Sequence, residues 1–218
     1  MLKAVIFDMD GVIIDSEPFH LIVCREIFKN LNIPFYEEEY NTFIGISNTS
    51  MWTTLRNKYG LNESVDELSK FQTDGGMKYL KENEISPIPG ILDILNELRD
   101  NEIKIALASS SSMEVIEIVL DKFKISKYFQ EVISGEDLEK GKPAPDIFLK
   151  AAKLLQVEPE YCTVIEDSHN GVIAAKAAGM KCIGYQNPSS GNQNLKAADL
   201  IIKSLKDLNL NRIKEIFL

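Results

Sequence analysis

The sequence predicts an α/β fold: a parallel sheet covered on both faces by helices, with an all-helical segment inserted after the first strand. Three observations carry this. From residue 91 onward, short apolar runs alternate with amphipathic stretches, the pattern of strands buried between helical layers. Residues 3–7 form one more apolar run (Lys3-Ala4-Val5-Ile6-Phe7), which could bury nothing alone and must join the same sheet. Between the two, residues 16–85 show helical periodicity and no strand pattern, and Ser86-Pro87-Ile88-Pro89-Gly90 then marks a boundary with two prolines and a glycine.

In chain order, strand 3–7 is followed from Ser16 to about Leu31 by a helical pattern with Phe19, Ile22, Val23, Ile27, Phe28 and Leu31 on one face, ended by Pro34. Helical spacing returns over 36–43, 48–59 and 64–82, with Asn62 or Ser64 as the cap of the last. Past the boundary come helix 91–100, strand 103–108, helix 112–121 and a short strand at 131–133. The loop GEDLEKGKPAP leads to helix 146–155. Strand 162–166 leads to helix 170–178, for which Gly179 is a good C-terminal cap. Strand 181–185, a polar Asn/Ser/Gly segment at 186–194, strand 199–202 and a helix over 205–216 complete the chain. The expected domains are therefore a core of 1–15 and 86–218 and a helical domain of 16–85.

The 218 residues are 44% hydrophobic and 26% charged, enough for one sizeable core carrying a smaller insert. The net charge of −9, without a Lys/Arg block, argues against a nucleic-acid partner. It does not argue against an anionic small molecule, which feels the local site rather than the total. The first residues show no basic, apolar and small-residue leader pattern. No apolar run approaches the roughly 18 residues that a membrane span needs. Cys24, Cys162 and Cys182 are scattered, two of them in strand-like runs, and read as buried reduced thiols. His20 and His169 are too few and too far apart for a zinc cluster. The expectation is a cytoplasmic protein, monomeric or weakly self-associating, with no membrane partner.

Chemistry is expected at the carboxyl ends of the strands, where open α/β sheets hold their sites. Strand 3–7 ends in Asp8 and Asp10, one residue apart, and Gly11 follows. Paired carboxylates at the end of a buried strand are costly unless something cationic meets them. Ser109 and Ser110 follow the strand IALA, Lys142 lies in the loop before helix 146–155, and Glu166 and Asp167 follow CTVI. These residues are distant in sequence but can converge at one crevice.

FDMDG, ALASS, GKPAPDIF and IEDSHNG, in this order, resemble the four signature motifs of the haloacid dehalogenase-like superfamily. The resemblance covers essentially the whole chain and is closest to the helical-cap subfamily of beta-phosphoglucomutase and small-metabolite phosphatases. It implies a Rossmann-like core with residues 16–85 as the cap. It implies that Asp8 is a nucleophile forming an aspartyl-phosphate, and that Asp10 is the general acid and then base. Ser109 and the backbone N–H of Ser110 would contact the transferring phosphoryl group, and Lys142 would supply positive charge to it and to Asp8. Asp8, Glu166, Asp167 and the backbone carbonyl of Asp10 would hold Mg²⁺, whose hardness suits oxygen ligands.

Specificity is expected in the cap, at His20, Gly45, Ser47, Asn48 and Gln72. Beta-phosphoglucomutase has an arginine for a distal phosphate where this sequence has Asn48, and a lysine near the position of Gln72, with Lys70 close enough to compensate. An asparagine does not replace a charged bidentate fork. His20, after Asp15-Ser16-Glu17-Pro18-Phe19, matches a histidine of the mutase, but the spelling also resembles sugar-phosphate phosphatases. Trp52, at helical spacing from Leu55, reads as packing. The expected function is a Mg²⁺-dependent phosphatase of a small phosphorylated metabolite, a sugar or polyol phosphate; the alternative is a phosphohexose mutase.

Overall fold

The computed structural model describes residues 1–218 apart from Gly45 and Asp137. The chain divides into two compact units, Met1–Asp15 with Ser86–Leu218, and Ser16–Ile85. The first begins with β1 (Ala4–Phe7). The second holds α1 (Glu17–Asn30), α2 (Glu37–Asn41), α3 (Asn48–Tyr59) and α4 (Val65–Glu82). The first unit then resumes with α5 (Ile91–Asp100), β2 (Lys104–Ser109), α6 (Met113–Phe123), β3 (Glu131–Ser134) and α7 (Asp146–Leu154). It ends with β4 (Cys162–Glu166), α8 (His169–Ala177), β5 (Lys181–Tyr185), β6 (Leu200–Ile202) and α9 (Leu210–Glu215).

Among the described residues six strands form one sheet in the order β3-β2-β1-β4-β5-β6, every neighbouring pair parallel. β1 sits in the middle and is buried along its whole length. On one face of the sheet its Ala4 and Ile6 share a core with Ala106, Ala108, Val164 and Cys182 from other strands and with Phe148, Ala151, Val172 and Ala175 from the covering helices. This is the doubly wound order whose crevice opens beside the first strand. Phe7 pairs in register with Leu107 of β2 and with Ile165 of β4, so the residues just beyond them emerge at one edge. α8 closes as the sequence suggests: Gly179, at φ +75, donates to the Lys176 carbonyl while Met180 reaches back to Ala175, a Schellman motif.

Two helices differ from expectation. The single helix expected over 205–216 is instead a one-turn 3₁₀ segment at Leu205–Asp207 followed by α9. Asn209 breaks it: extended at φ −144 and ψ 169, it caps α9 by accepting the Arg212 N–H at 2.9 Å. The helix expected over 36–43 shortens to α2, where the Thr42 hydroxyl bonds the Glu39 carbonyl at 2.7 Å and competes with further helix.

The helical unit has its own core of Val23, Cys24, Ile27, Phe28, Tyr40, Met51, Trp52, Leu55 and Leu68. On α1 the buried stripe takes Cys24 rather than the expected Ile22, which is exposed; 24 and 28 share a face with 23 and 27, and 22 falls at its margin. Ser64, not Asn62, caps α4, in a capping box with Glu67. Gly75 of α4 lets α1 approach, because a Cβ there would come within 2.6 Å of Val23 Cγ1. Among the described residues no helix is long and apolar enough to cross a membrane.

Candidate active site at the carboxyl edge of the sheet

The end of β1 is folded tightly. The N–H groups of Ile13 and Ile14 donate to the Met9 carbonyl, and Gly11 N–H donates to the Ile14 carbonyl at 2.7 Å. Gly11 sits at φ +76, and a side chain there would run into the Asp167 carboxylate and the Ser190 hydroxyl. Asp8 leaves the sheet with its N–H still on the Ile165 carbonyl at 3.0 Å, which places it level with Glu166 at the end of β4.

Asp8, Glu166 and Asp167 are buried, and each presents a carboxylate oxygen within 4.8 Å of the others. The Lys142 ammonium bridges two of them, donating to Asp8 Oδ1 and Glu166 Oε1 at 2.6 Å each. Its side chain is only 8% exposed, so this pairing is desolvated. The other oxygen of Glu166 accepts from the N–H and hydroxyl of Ser168, at 2.7 and 2.9 Å. Gly171, in the first turn of α8, leaves the room that the Glu166 carboxylate occupies.

Three acids against one ammonium leave the cluster short of positive charge. Burial pushes Asp8 up to about 8; Lys142 opposes this, and Glu166 and Asp10 reinforce it. Burial raises Asp167 as well, reinforced by the charges of Glu166 and Asp8. Burial alone would lower Lys142, but the two carboxylates outweigh it and hold the ammonium charged. A buried, convergent, all-oxygen donor set with excess negative charge fits a hard divalent cation. Asp8, Glu166 and Asp167 are the residues that would hold such an ion, which would neutralise the charge that Lys142 leaves unbalanced.

Asp10 points elsewhere. Its Oδ2 accepts from the Ser111 hydroxyl at 2.8 Å and from the Ser109 hydroxyl at 3.3 Å. Ser109 Oγ in turn accepts the Ser111 N–H at 3.0 Å. Asp8, Asp10, Ser109, Lys142, Glu166 and Asp167 thus gather at one edge of the sheet. Ser110 is exposed there, and Ser111 is the hydroxyl that reaches Asp10.

The expected specificity residues belong to the helical unit. Ser47 caps α3, its hydroxyl accepting the Ser50 N–H at 3.3 Å, and Asn48 opens that helix. His20 packs against the Phe19 ring, centroids 4.6 Å apart. Gln72 is buried, and its carbonyl oxygen is taken by the Trp52 indole N–H at 2.7 Å, so that oxygen is not on offer to a substrate. Lys70 is paired with Asp74 at 2.8 Å on the surface. Gly45 lies outside the described residues.

Sequence reasoning missed Ser111, Ser168, Asn187 and Ser190. Ser190 donates to Asp167, and the Asn187 amide donates to the Gly11 carbonyl at 2.9 Å. The signal was present in the polar run that follows β5, since loops at this edge of the sheet carry function.

Carboxylates, a buried lysine and serines at the ends of β1, β2 and β4 define an α/β enzyme that handles an anionic group. Comparison with known proteins names the class. The sequence profile of haloacid dehalogenase-like hydrolases matches residues 5–185. Beta-phosphoglucomutase of Bacillus subtilis is 34% identical, covering 98% of this chain and 95% of its own. The phosphorylated carbohydrates phosphatase of Thermotoga maritima is 30% identical, covering 99% and 100%. The crystal structure of CbbY from Rhodobacter sphaeroides in complex with phosphate superposes with a TM-score of 0.88 at 25% identity, covering 98% of this chain and 100% of that one. The chain belongs to the haloacid dehalogenase-like hydrolase family, in the branch of beta-phosphoglucomutase and small-metabolite phosphatases.

Proposed function

We propose that this protein is a Mg²⁺-dependent phosphatase of a small phosphorylated metabolite, a sugar or polyol phosphate, working through an aspartyl-phosphate. The observation that supports this is the Lys142 bridge, which holds Asp8 at the crevice edge through one oxygen at 2.6 Å. In the proposed reaction an Asp8 oxygen bonds to phosphorus, the ester oxygen leaves, and Asp10 gives that oxygen its proton. Asp10, now ionised, takes a proton from the water that attacks phosphorus, and the P–O bond to Asp8 breaks to release phosphate. Ser109, the Ser110 N–H and Lys142 stabilise the phosphoryl charge. Asp8, Asp167, Glu166 and the Asp10 carbonyl would hold Mg²⁺, which when bound supplies charge neutralisation for phosphate and for the crowded carboxylates.

The mutase reading draws on the 34% identity to the Bacillus subtilis beta-phosphoglucomutase. A bisphosphate intermediate needs cationic donors for its second phosphate. Asn48 is uncharged, the Gln72 carbonyl is held by Trp52, and Lys70 is engaged by Asp74, which favours hydrolysis. His20, Ser47 and Asn48 are the proposed specificity residues, with 16–85 as the cap.

The test is metal-dependent release of phosphate from an aryl phosphate and a panel of hexose and polyol phosphates, with Asp8→Asn as the control. Turnover that Asp8→Asn abolishes is expected; none by the folded wild type sinks the enzyme reading. Conversion of beta-glucose 1-phosphate, primed with the 1,6-bisphosphate, to glucose 6-phosphate without comparable free phosphate would favour the mutase.

A further inference from the structure

The segment after β5 makes contacts that the proposed reaction does not use. Pro188–Ser190 form one turn of 3₁₀ helix, closed by Asn187, whose side-chain oxygen accepts the Ser189 N–H at 2.9 Å. The turn is tied down on both sides: the Ser190 N–H donates to the Asn187 carbonyl at 3.2 Å, and the Gln193 amide donates to the Ser190 carbonyl at 3.1 Å. From this fixed base three side chains reach back, two to the loop after β1 and one to Asp167. The Asn187 amide holds the Gly11 carbonyl at 2.9 Å, the Ser189 hydroxyl holds Asp15 Oδ2 at 2.8 Å, and the Ser190 hydroxyl donates to Asp167 Oδ2. Asn187 and Ser190 are buried.

We propose that Ser190 is a positioning residue for Asp167: its hydroxyl fixes the carboxylate in place beside Asp8 and Glu166. The proposal rests on the metal-dependent reading above. Asp167 needs such a partner because Asp8 and Glu166 repel it from one side, while Lys142 bonds those two acids rather than Asp167. A free carboxylate would rotate away from like charge; a hydroxyl donor behind it removes that freedom before any cation arrives. Gly11 belongs to the same arrangement, since a Cβ there would fall 3.0 Å from Ser190 Oγ and would strike the Asp167 carboxylate. Partners of this kind, behind a ligand rather than on the ion, are worth roughly ten- to a hundredfold in metal affinity.

The experiment is calorimetric titration of the metal-free protein with Mg²⁺ and Mn²⁺, for wild type, Ser190→Ala, Ser190→Cys, Ser189→Ala and Asp167→Asn. The Ser190 variants are expected to bind roughly ten- to a hundredfold more weakly. Ser189→Ala, on the same turn but touching Asp15, is expected to stay within about twofold. In turnover, Ser190→Ala should raise the Mg²⁺ concentration for half-activity and leave KM for the phosphate ester unchanged at saturating Mg²⁺. Cysteine, close to serine in size but a weak donor, reads the same loss should the alanine variant fold poorly. Affinity within twofold of wild type for the Ser190 variants, or an equal loss in Ser189→Ala, overturns the proposal. Undiminished binding by Asp167→Asn overturns the metal reading itself, and the proposal with it.

Discussion

Replacing Lys142 by methionine tests the electrostatic account of the site most directly. Methionine keeps an unbranched apolar stem and removes the charge, its donors and its seat over the Phe148 ring, 5.0 Å from the centroid. Two hydrogen-bonded ion pairs at 2.6 Å are lost, and Asp8 and Glu166 remain buried and facing one another. Removing one partner of a buried pair costs about 3–5 kcal/mol. Protonation of Asp8, which burial already pushes up to about 8, relieves part of that, so the low end, about 3 kcal/mol, is expected near neutral pH. For a chain of this size that lowers Tm by roughly 6–12 °C. Thermal melts followed by far-ultraviolet circular dichroism in EDTA measure it. Under the proposed mechanism the same variant loses stabilisation of the transferring phosphoryl group, and kcat/KM for an aryl phosphate falls by about a hundred- to a thousandfold. A variant that melts within a degree or so of wild type and keeps more than about a tenth of its activity would refute the reasoning, because a desolvated bridge cannot be removed at so little cost.

Two further predictions concern stability away from the site. Burial would raise Asp199, but the Lys176 ammonium and the Cys182 N–H outweigh it and hold the carboxyl below its ordinary value. A carboxyl depressed by folding stabilises above its unfolded pKa, about 3.9, and that stabilisation is lost as pH falls through its lower folded value. Asp199 is an exposed residue, so Asp199→Asn is expected to cost under about 1 kcal/mol near pH 7, with the gap to wild type closing as pH falls below the ordinary carboxyl range in denaturant titrations. Gln72→Leu removes the acceptor of the Trp52 indole N–H in the helical unit and should cost about 1–3 kcal/mol. Trp52 is the single tryptophan of the chain, so its fluorescence reports that unit's unfolding separately from circular dichroism.

The core was legible because strand and register arguments are short-range. The alternation of apolar runs and helices gives a parallel sheet, and a parallel sheet brings the residues after Phe7, Ala108 and Ile165 to one edge. Lys142 was legible only through the motif it stands in: its loop has no periodicity to say where a side chain points, and 24 residues separate it from Glu166. For Ser190 and Asn187 the polar run after β5 marks a loop that can carry function, but 23 residues of chain separate Ser190 from Asp167 and no pattern says which side chain reaches it. Gln72 differs again. The resemblance to the mutase put it at the position of a substrate lysine, and nothing in the sequence pairs it with Trp52. Only Trp52, brought opposite by the packing of α3 on α4, supplies the partner that lets an amide be buried.

What the sequence left out has one cause, and it bears on the proposed chemistry. Sequence pattern finds groups that can be charged; it does not find the donors that decide how the charge is held. Asp8 and Asp10 look alike at the end of β1, yet one meets an ammonium and the other two hydroxyls. An ammonium withdraws negative charge and leaves a free oxygen in place, which suits a nucleophile. Hydroxyls can donate to a carboxylate and can also accept from a carboxylic acid, so they hold Asp10 in either protonation state. A residue that must give a proton and then take one back needs that tolerance, and a residue that must attack does not. The separate roles proposed for the two acids therefore rest on the different partners that β2 and the loop before α7 bring to them.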